Sequence, residues 1–348
     1  MEESPKCTSA SSENSVLSRI TLDFKISNCR YRCVHCDVAK DDLCKNVPLQ
    51  RIKEVALSFL AHKGSLFEKL FVVISDSAFL YKDYPALVEF LDTHRTRYNK
   101  EPINGVRYDQ AFFDKIFPGI AQSPLDTVRI SLFGSELTHN KFAGYRDSFQ
   151  ELMTFAKAFS AYNKHVVFHL YVTPESFDEI ASLKKFIVSE VENCSFTYEY
   201  SNCYKDNYER RDQFLLTKSY REKVKQYNFP LISEEELADS CKGKKPILWR
   251  NNIWIRIFGN GDYTVAVFPL GGFYLVGNMN EDNPETIMAK CVEYVQNLES
   301  KLPSYDQLIE NVFNLDDPFL YAPSDALNLW WARYSKKSSH TIKYRRSP

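Results

Sequence analysis

Strand-like segments alternate with helix-like segments along most of this chain. Alternating apolar residues predict strands at residues 18–26, 70–74, 127–133, 166–172 and 195–200. Apolar residues at helical spacing predict helices at residues 49–62, 85–95, 148–161 and 174–190, and residues 101–123 are expected to hold one more strand–helix pair. Since parallel strands are joined by helical crossovers, this order predicts an α/β fold with a parallel sheet. About six strand–helix units fit between residues 18 and 225.

The pattern changes near residue 226. A helix is predicted at residues 233–241, strands at 253–258, 263–268 and 273–276, and a second helix at 284–298. Residues 226–332 are therefore expected to form a small α+β extension. Residues 1–17, rich in Ser and Glu, are expected to be a flexible lead, and residues 333–348 a basic, solvated tail.

Composition argues against several classes of function. Lys+Arg 44 against Asp+Glu 45 gives a net charge of −1, which disfavours a nucleic-acid partner. No apolar run of about 18 residues occurs, so no membrane span is expected. The N-terminus is polar and lacks a signal-peptide pattern, which predicts a cytoplasmic protein whose thiols stay reduced. Neither GxGxxG nor GxxxxGK[ST] is present, so phosphate-binding glycine loops are not expected.

Three of the nine cysteines lie close together. Cys29, Cys33 and Cys36 have the spacing C-x3-C-x2-C directly after the first predicted strand. Thiolates hold iron–sulfur clusters, and three of them leave one iron of a [4Fe–4S] cluster open to a substrate or cofactor. Structural zinc normally takes four ligands, and Cys44 is available as a fourth. A zinc-binding interaction module is therefore the alternative of another class. The remaining cysteines are too scattered to indicate a second metal site.

The run Cys29-x3-Cys33-x2-Cys36 resembles the signature of the radical S-adenosylmethionine (SAM) superfamily. The resemblance extends over roughly residues 18–225. It implies a partial (β/α)6 barrel similar to a TIM barrel, with the three cysteines in the loop after the first strand. It also implies two cofactors, one [4Fe–4S] cluster held by Cys29, Cys33 and Cys36, and SAM bound at the open iron.

The same resemblance implies SAM contacts at several positions before residue 80. His35 precedes the last cysteine and takes the place of the residue that packs near the adenine. Ser75, Asp76 and Ser77 stand where the family typically has Gly-Gly-Glu, which contacts the SAM amino group. The glycines are lost here, but hydroxyl and carboxylate acceptors for an ammonium remain.

Further implied SAM contacts follow the fourth strand of the resemblance. Ser131 matches a strand serine that touches the SAM ribose or carboxylate, and His139 matches a histidine common in the next loop. An arginine that holds the SAM carboxylate often lies four residues beyond that histidine. Ala143 occupies this position, and Arg146 is near enough to substitute, with a surface arginine as the alternative.

Residues 226–332 resemble the SPASM/twitch extensions of radical SAM enzymes. The resemblance rests on Cys241, on the hairpin around Gly261-Asp262 and on residues 276–279. In those extensions a Gly-x4-Cys segment brings a ligand for an auxiliary cluster, but Ala266 occupies that position here. The extension is therefore expected to lack auxiliary clusters.

The resemblance also implies the chemistry. Reductive cleavage of SAM would give a 5′-deoxyadenosyl radical that removes a hydrogen atom from the substrate, with flavodoxin or ferredoxin as an electron donor. Cys203 is a candidate hydrogen donor for returning a hydrogen atom. A peptide substrate is slightly favoured on family frequency. The short lead and the absent auxiliary cysteines favour the alternative, a sugar or nucleoside in antibiotic biosynthesis.

Overall fold

The computed structural model describes residues 17–25, 33, 46–75, 79, 81–94, 96–98, 107–200, 211–248, 252–267, 270 and 272–337. In chain order the strands are β1 (Leu17–Lys25), β2 (Phe67–Ser75), β3 (Arg97–Tyr98), β4 (Thr127–Leu132), β5 (His165–Val172), β6 (Cys194–Tyr200), β7 (Ile232–Ser233), β8 (Asn252–Ile257), β9 (Asp262–Val267), β10 (Gly272–Asn278) and β11 (Leu320–Tyr321). The α/β fold expected from the alternation of strands and helices is confirmed.

Helices connect and cover these strands. They are α1 (Leu49–Leu60), α2 (Tyr84–Thr93), α3 (Gln110–Lys115), α4 (Phe117–Gln122), α5 (Glu136–Ala143), α6 (Ser148–Ser160), α7 (Ile180–Glu190), α8 (Arg211–Phe214), α9 (Arg221–Gln226), α10 (Glu234–Cys241), α11 (Pro284–Ser300), α12 (Tyr305–Val312) and α13 (Ala326–Lys337). No helix among the described residues is both long and apolar enough to cross a membrane.

The longer strands form two sheets. The larger has the strand order β10-β9-β8-β1-β2-β3, in which β1 is parallel to both β2 and β8. The smaller has the order β4-β5-β6, and all of its strands are parallel. β7 and β11 form a separate antiparallel pair. Parallel strands with helical crossovers are consistent with a partial TIM-like barrel.

Alternation along each strand separates an apolar face from a polar face. On β1, Ile20, Leu22 and Phe24 belong to the main hydrophobic core, together with residues of the covering helices. Thr21 and Asp23 lie on the opposite face and are also buried. The helices therefore pack against the apolar face, and the polar face of each sheet is the inner face of the partial barrel.

Two predicted helical regions differ in detail. The helix expected at residues 174–190 starts only at Ile180. Before it, the Ser176 hydroxyl donates to the main-chain oxygen of Tyr171 (2.6 Å) and accepts from the Thr173 N–H (3.0 Å). Such side-chain bonds to the main chain compete with helix formation. In the region 101–123, Pro118 at the start of α4 ends the preceding turn, which gives two short helices.

The strands expected in the extension join the larger sheet. β8 pairs with β1 in parallel, and β9 and β10 continue the sheet as an antiparallel meander. Gly261, at the turn between β8 and β9, has φ +91, a conformation that favours glycine. The SPASM-like character of this region and the domain limits at residues 225 and 332 stay predictions.

The expected solvated tail does not begin at residue 333. Arg333 lies within α13 and forms ion pairs with Glu234 and with Asp317 (2.6 Å), both of which are buried. The Trp330 indole N–H donates to the same Glu234 carboxylate at 3.0 Å. The sequence read as a basic tail had no acid nearby, but folding brings two carboxylates from distant segments to Arg333.

Candidate active site

Three polar residues lie directly opposite one another across the smaller sheet. Ser131 of β4 pairs in register with His169 of β5, which in turn pairs with Thr197 of β6. The neighbouring residues Ile130, Phe168 and Phe196 belong to or pack against the main core, so the polar row faces inward. Ser131 is buried. Its side chain therefore lies on the inner face, and its contact with SAM stays a prediction.

His169 is held at both ring nitrogens. Nδ1 lies 2.8 Å from the Thr197 hydroxyl, and Nε2 lies 3.1 Å from a Glu199 carboxylate oxygen. The Glu199 carboxylate accepts from Nε2, and Nδ1 shares a hydrogen bond with the Thr197 hydroxyl. The side chain of His169 is 13% exposed. These bonds fix the imidazole in the inner surface of the sheet, and the sequence analysis did not single them out.

Cys33 lies at the carboxyl ends of β4 and β5. It is buried in one cluster with Phe133, Phe142 and Ala143, here named the Cys33 patch. Phe133 follows the last residue of β4, and its ring lies 4.8 Å from that of Tyr171 near the end of β5. Ligands of parallel α/β folds bind at this end of the strands. The structure therefore places one cysteine of the motif beside the expected site.

The loop after β4 is fixed by a carboxylate from the turn after β5. Glu179 accepts hydrogen bonds from the Ser135 N–H (2.7 Å), the Ser135 hydroxyl (2.9 Å) and the Thr138 hydroxyl (2.9 Å). Gly134 has φ +143, and a Cβ there would lie 2.6 Å from Glu179 Oε2. The sequence analysis missed Glu179. The sequence indicates it only indirectly, through Gly134 at the end of β4, which folding brings against Glu179.

His139 is a buried structural group in this geometry. Its Nδ1 accepts from the Phe133 main-chain N–H (3.2 Å), so Nε2 carries the proton and donates to the Ser148 hydroxyl (2.9 Å). Burial lowers the pKa of His139 to about 3, which keeps the ring neutral. The histidine thereby joins the end of β4 to the start of α6, directly behind the Cys33 patch.

One family model matches the chain, that of the radical SAM superfamily, over residues 25–187. Residues 25–187 are a radical SAM domain. The match begins at the last residue of β1 and ends in α7. It therefore contains the cysteine motif, Ser131 of β4 and His169 of β5. The resemblance of Cys29-x3-Cys33-x2-Cys36 to this superfamily is confirmed. No curated protein sequence matches the chain.

Solved structures of anSMEcpe share the fold of this chain. A structure of histidine-tagged anSMEcpe with bound AdoMet has a TM-score of 0.52 at 11% identity and covers 92% of this chain and 96% of that one. Native anSMEcpe with bound AdoMet and Cp18Cys peptide has a TM-score of 0.51 at 12% identity, covering 92% and 97%. SuiB from Streptococcus suis bound to precursor peptide SuiA has a TM-score of 0.43 at 14% identity. Coverage there is 71% of this chain and 59% of SuiB, less than two thirds of its length.

Radical SAM enzymes use a [4Fe–4S] cluster and SAM, and the described part of the site suits both. Cys33 would hold the cluster through its sulfur in a buried, aromatic setting, and the inner face beside it carries the hydroxyls of Ser131 and Thr197. Cys29, Cys36, His35, Asp76, Ser77 and Cys203 lie outside the described residues. Ser75 is the last residue of β2, which places it at the carboxyl end of that strand.

Arg146 lies at the surface of the radical SAM domain. Its side chain is 91% exposed and pairs with the adjacent Asp147 at 3.3 Å. Its neighbour Tyr145 packs against the Cys33 patch, so the chain turns outward between these two residues. This geometry is that of the surface alternative and lends no support to a SAM contact by Arg146.

Asp23 and Arg256 join the C-terminal strands to the radical SAM domain. They are direct partners in the register of β1 and β8, and Arg256 Nε donates to Asp23 Oδ2 at 2.8 Å. The Trp254 indole N–H donates to the same oxygen at 3.1 Å. Asp23 is 0% exposed, and the Arg256 guanidinium lies 3.8 Å from the centre of the Phe273 ring on β10. Asp23, Trp254 and Arg256 are named the β1–β8 seam below.

The described cysteines outside the motif do not form a metal site. Burial raises the pKa of the Cys291 thiol to about 12, with a smaller contribution from Asp282, and burial also raises the pKa of Cys194. Cys241 is buried in α10. Among the described residues, no group of three or more His, Cys, Asp or Glu side chains is placed to hold a metal ion. These thiols are packed as small apolar side chains.

Proposed function

We propose that this radical SAM enzyme holds one [4Fe–4S] cluster on Cys29, Cys33 and Cys36 and removes a hydrogen atom from a peptide substrate. The observation that carries this proposal is the position of Cys33. The residue packs at the carboxyl ends of β4 and β5, beside the polar inner face of the sheet. A thiolate in that place puts the reaction where α/β barrels hold their ligands.

When bound, the cluster and SAM together supply a 5′-deoxyadenosyl radical able to attack an unactivated C–H bond. The chain supplies position and shielding. Aromatic rings of the Cys33 patch keep water away from the reacting atoms. Ser131 would present its hydroxyl to the ribose or carboxylate of SAM, and the imidazole of His169, held by Thr197 and Glu199, would position the adjacent strand. Glu179 fixes the loop that follows β4.

The remaining SAM contacts are assigned from the family resemblance. His35 would pack against the adenine, and Ser75, Asp76 and Ser77 would accept hydrogen bonds from the SAM ammonium group. The position of Ser75 at the carboxyl end of β2 supports this, since ligands of parallel α/β folds bind at that end of the strands. A flavodoxin- or ferredoxin-type protein would deliver the electron.

A peptide is the favoured substrate class. The fold is shared with anSMEcpe, whose structure holds AdoMet and the Cp18Cys peptide. The alternative is a sugar or nucleoside.

The first test is anaerobic reconstitution with iron and sulfide, followed by metal analysis and by incubation with SAM and dithionite. We expect a brown protein that forms 5′-deoxyadenosine and methionine. The variant Cys33→Ala should stay colourless and inactive, with Cys241→Ala as the matched buried-cysteine control. A colourless wild-type protein that holds one tightly bound zinc would instead support the interaction module.

The second test separates the substrate classes. Deuterated synthetic peptides and a panel of deuterated sugars and nucleosides are each added to the reduced enzyme with SAM. Deuterium should enter 5′-deoxyadenosine with the peptides. Transfer from the small molecules alone would overturn the peptide assignment while leaving the radical chemistry in place. With an accepted substrate in hand, Cys203→Ala tests hydrogen return, because SAM cleavage should continue while the product that carries the returned hydrogen atom disappears.

A further inference from the structure

An apolar groove lies between α10 and α12. Its floor consists of Ala238 from α10, Ile309 from α12, and Phe313 and Leu315, which follow α12. Phe313 and Leu315 are 37% and 61% exposed, respectively. The cavity has a volume of about 410 Å³, near the lower end for ligand pockets. Exposed apolar side chains that line a concave surface favour burial under another segment of protein.

The rim of this groove is acidic. Glu235 and Asp239 of α10 face Asp306 and Glu310 of α12, and Lys242 is the single basic residue among the lining residues described. Four carboxylates and one amine attract a basic segment and repel an acidic one. The groove therefore suits an occupant that carries apolar side chains between cationic ones.

We propose that residues 338–348 of this same chain dock in the groove between α10 and α12. Their sequence is SSHTIKYRRSP, with three Lys or Arg residues and no acid. Ile342 and Tyr344 alternate with Lys343 and Arg345, and in an extended conformation alternate side chains point to opposite faces. Such a segment buries its two apolar side chains on the floor, while the long cationic side chains reach the rim.

The end of α13 lies close to the groove. Arg333 of α13 donates to the main-chain oxygen of Val312 (3.3 Å), the last residue of α12, and forms an ion pair with Glu234, the first residue of α10. α13 ends at Lys337, about 6 Å farther along its axis. Eleven extended residues span up to ~36 Å, whereas α12 is about 12 Å long. The segment therefore reaches the whole groove, and tethering gives it an effective concentration in the millimolar range.

The test is intramolecular photocrosslinking in the full-length, reconstituted protein. Tyr344 is replaced by p-benzoylphenylalanine, the sample is irradiated, and the adducts are mapped by mass spectrometry. We expect adducts within one chain, on peptides that contain residues 235–242 or 306–315. The triple variant Glu235→Lys, Asp239→Lys, Glu310→Lys should lower their yield about tenfold, because three ion pairs become three repulsions.

A charge swap and a matched control complete the design. Adding Lys343→Glu, Arg345→Glu and Arg346→Glu to the triple variant should restore the adducts, which a misfolded groove cannot do. The control variant Glu68→Lys, Glu281→Lys, Glu293→Lys changes three exposed residues outside the groove. It should leave the yield of adducts unchanged. Adducts on other surfaces, adducts that join two chains, or a yield unaffected by the groove variant would each overturn the proposal. None of these outcomes depends on the radical chemistry.

Discussion

The Cys33 patch and the β1–β8 seam both lie on the inner side of the barrel, but they are built from different interactions. The patch consists of a thiol among aromatic and apolar side chains at the carboxyl ends of strands. The seam consists of a buried carboxylate that accepts from an arginine and a tryptophan in mid-strand. The patch thus presents a thiol among aromatic and apolar side chains, whereas the Asp23 oxygen in the seam already accepts hydrogen bonds from Arg256 and Trp254. Chemistry and sheet assembly are thus assigned to different places.

The largest expected effect is a loss of activity, and it distinguishes the Cys33 patch from the β1–β8 seam. Cys33→Ala should lower bound iron and 5′-deoxyadenosine formation at least ~100-fold, since even residues that only support metal ligands contribute 10–100-fold. Compared without the cluster, the urea unfolding midpoints of the variant and the wild type should differ little, because only one small buried side chain is changed. Iron content, product by chromatography and unfolding by circular dichroism check this. Retained iron in Cys33→Ala, with loss in Cys241→Ala, would reverse the assignment of the patch.

The second prediction concerns the seam. Asp23→Ala removes the carboxylate that pairs with the largely buried Arg256 guanidinium, and should cost about 3 kcal/mol in the free energy of unfolding. The double variant Asp23→Ala, Arg256→Met should recover much of that loss, because no unpaired charge remains. Urea titration of the three proteins measures both effects. If Asp23→Ala unfolds like the wild type but no longer forms 5′-deoxyadenosine, the seam belongs to the active site. Chemistry and sheet assembly would then not be separated as inferred above.

The elements of the fold could be predicted because they depend on local periodicity. The strand expected at residues 166–172 is β5 (His165–Val172), and the helix expected at 148–161 is α6 (Ser148–Ser160). The partner of a strand is not local. Asp23 and Arg256 are 233 residues apart in sequence, and no period in either segment indicates that β8 joins β1. The same reason explains why Arg333 was assigned to a solvated tail.

A candidate site can be predicted from the sequence where closely spaced residues of one type indicate a set of ligands. The motif containing Cys33 is compact, so the sequence alone predicts an iron–sulfur site at a strand end. The structure shows Cys33 buried beside Phe133 at the end of β4, and the cluster itself stays a prediction. Glu179, His169 and Glu199 do not belong to any recognisable sequence motif. Their positions depend on hydrogen bonds between neighbouring strands and loops, and these bonds form only once the strands are paired in register.

The third prediction concerns His139, which lies behind the Cys33 patch, and the pH dependence of the protein's stability. The pKa of His139 is about 3 in the folded protein, below the value of about 6.5 expected in the unfolded chain. Between those values the unfolded state binds the extra proton, so stability should fall as pH falls. The loss should be about 2 kcal/mol between pH 7 and pH 5. The same urea titrations on His139→Gln should lack this part of the slope, and an unchanged slope would contradict the assignment.

The fourth prediction concerns the loop that leads into the patch. Glu179→Gln removes the charge that accepts from Ser135 and Thr138 at the start of α5, and should cost about 1–2 kcal/mol in stability. Glu175→Gln is the matched control on the same turn, because its exposed pair with Lys141 should contribute less than about 0.5 kcal/mol. Equal effects of the two variants would mean that Glu179 does not fix the loop.

The smallest expected effect defines where the functional region ends. Tyr145 packs against the Cys33 patch, while the Arg146 side chain points to solvent beside Asp147. Arg146→Ala should therefore change stability by less than about 0.5 kcal/mol and the dissociation constant for SAM by less than about 3-fold. Calorimetric titration of SAM into the reconstituted variant, with Arg146→Lys alongside, measures this. A tenfold weaker affinity in Arg146→Ala that Arg146→Lys restores would show that this exposed arginine turns inward to SAM. The functional region would then extend one residue beyond the patch.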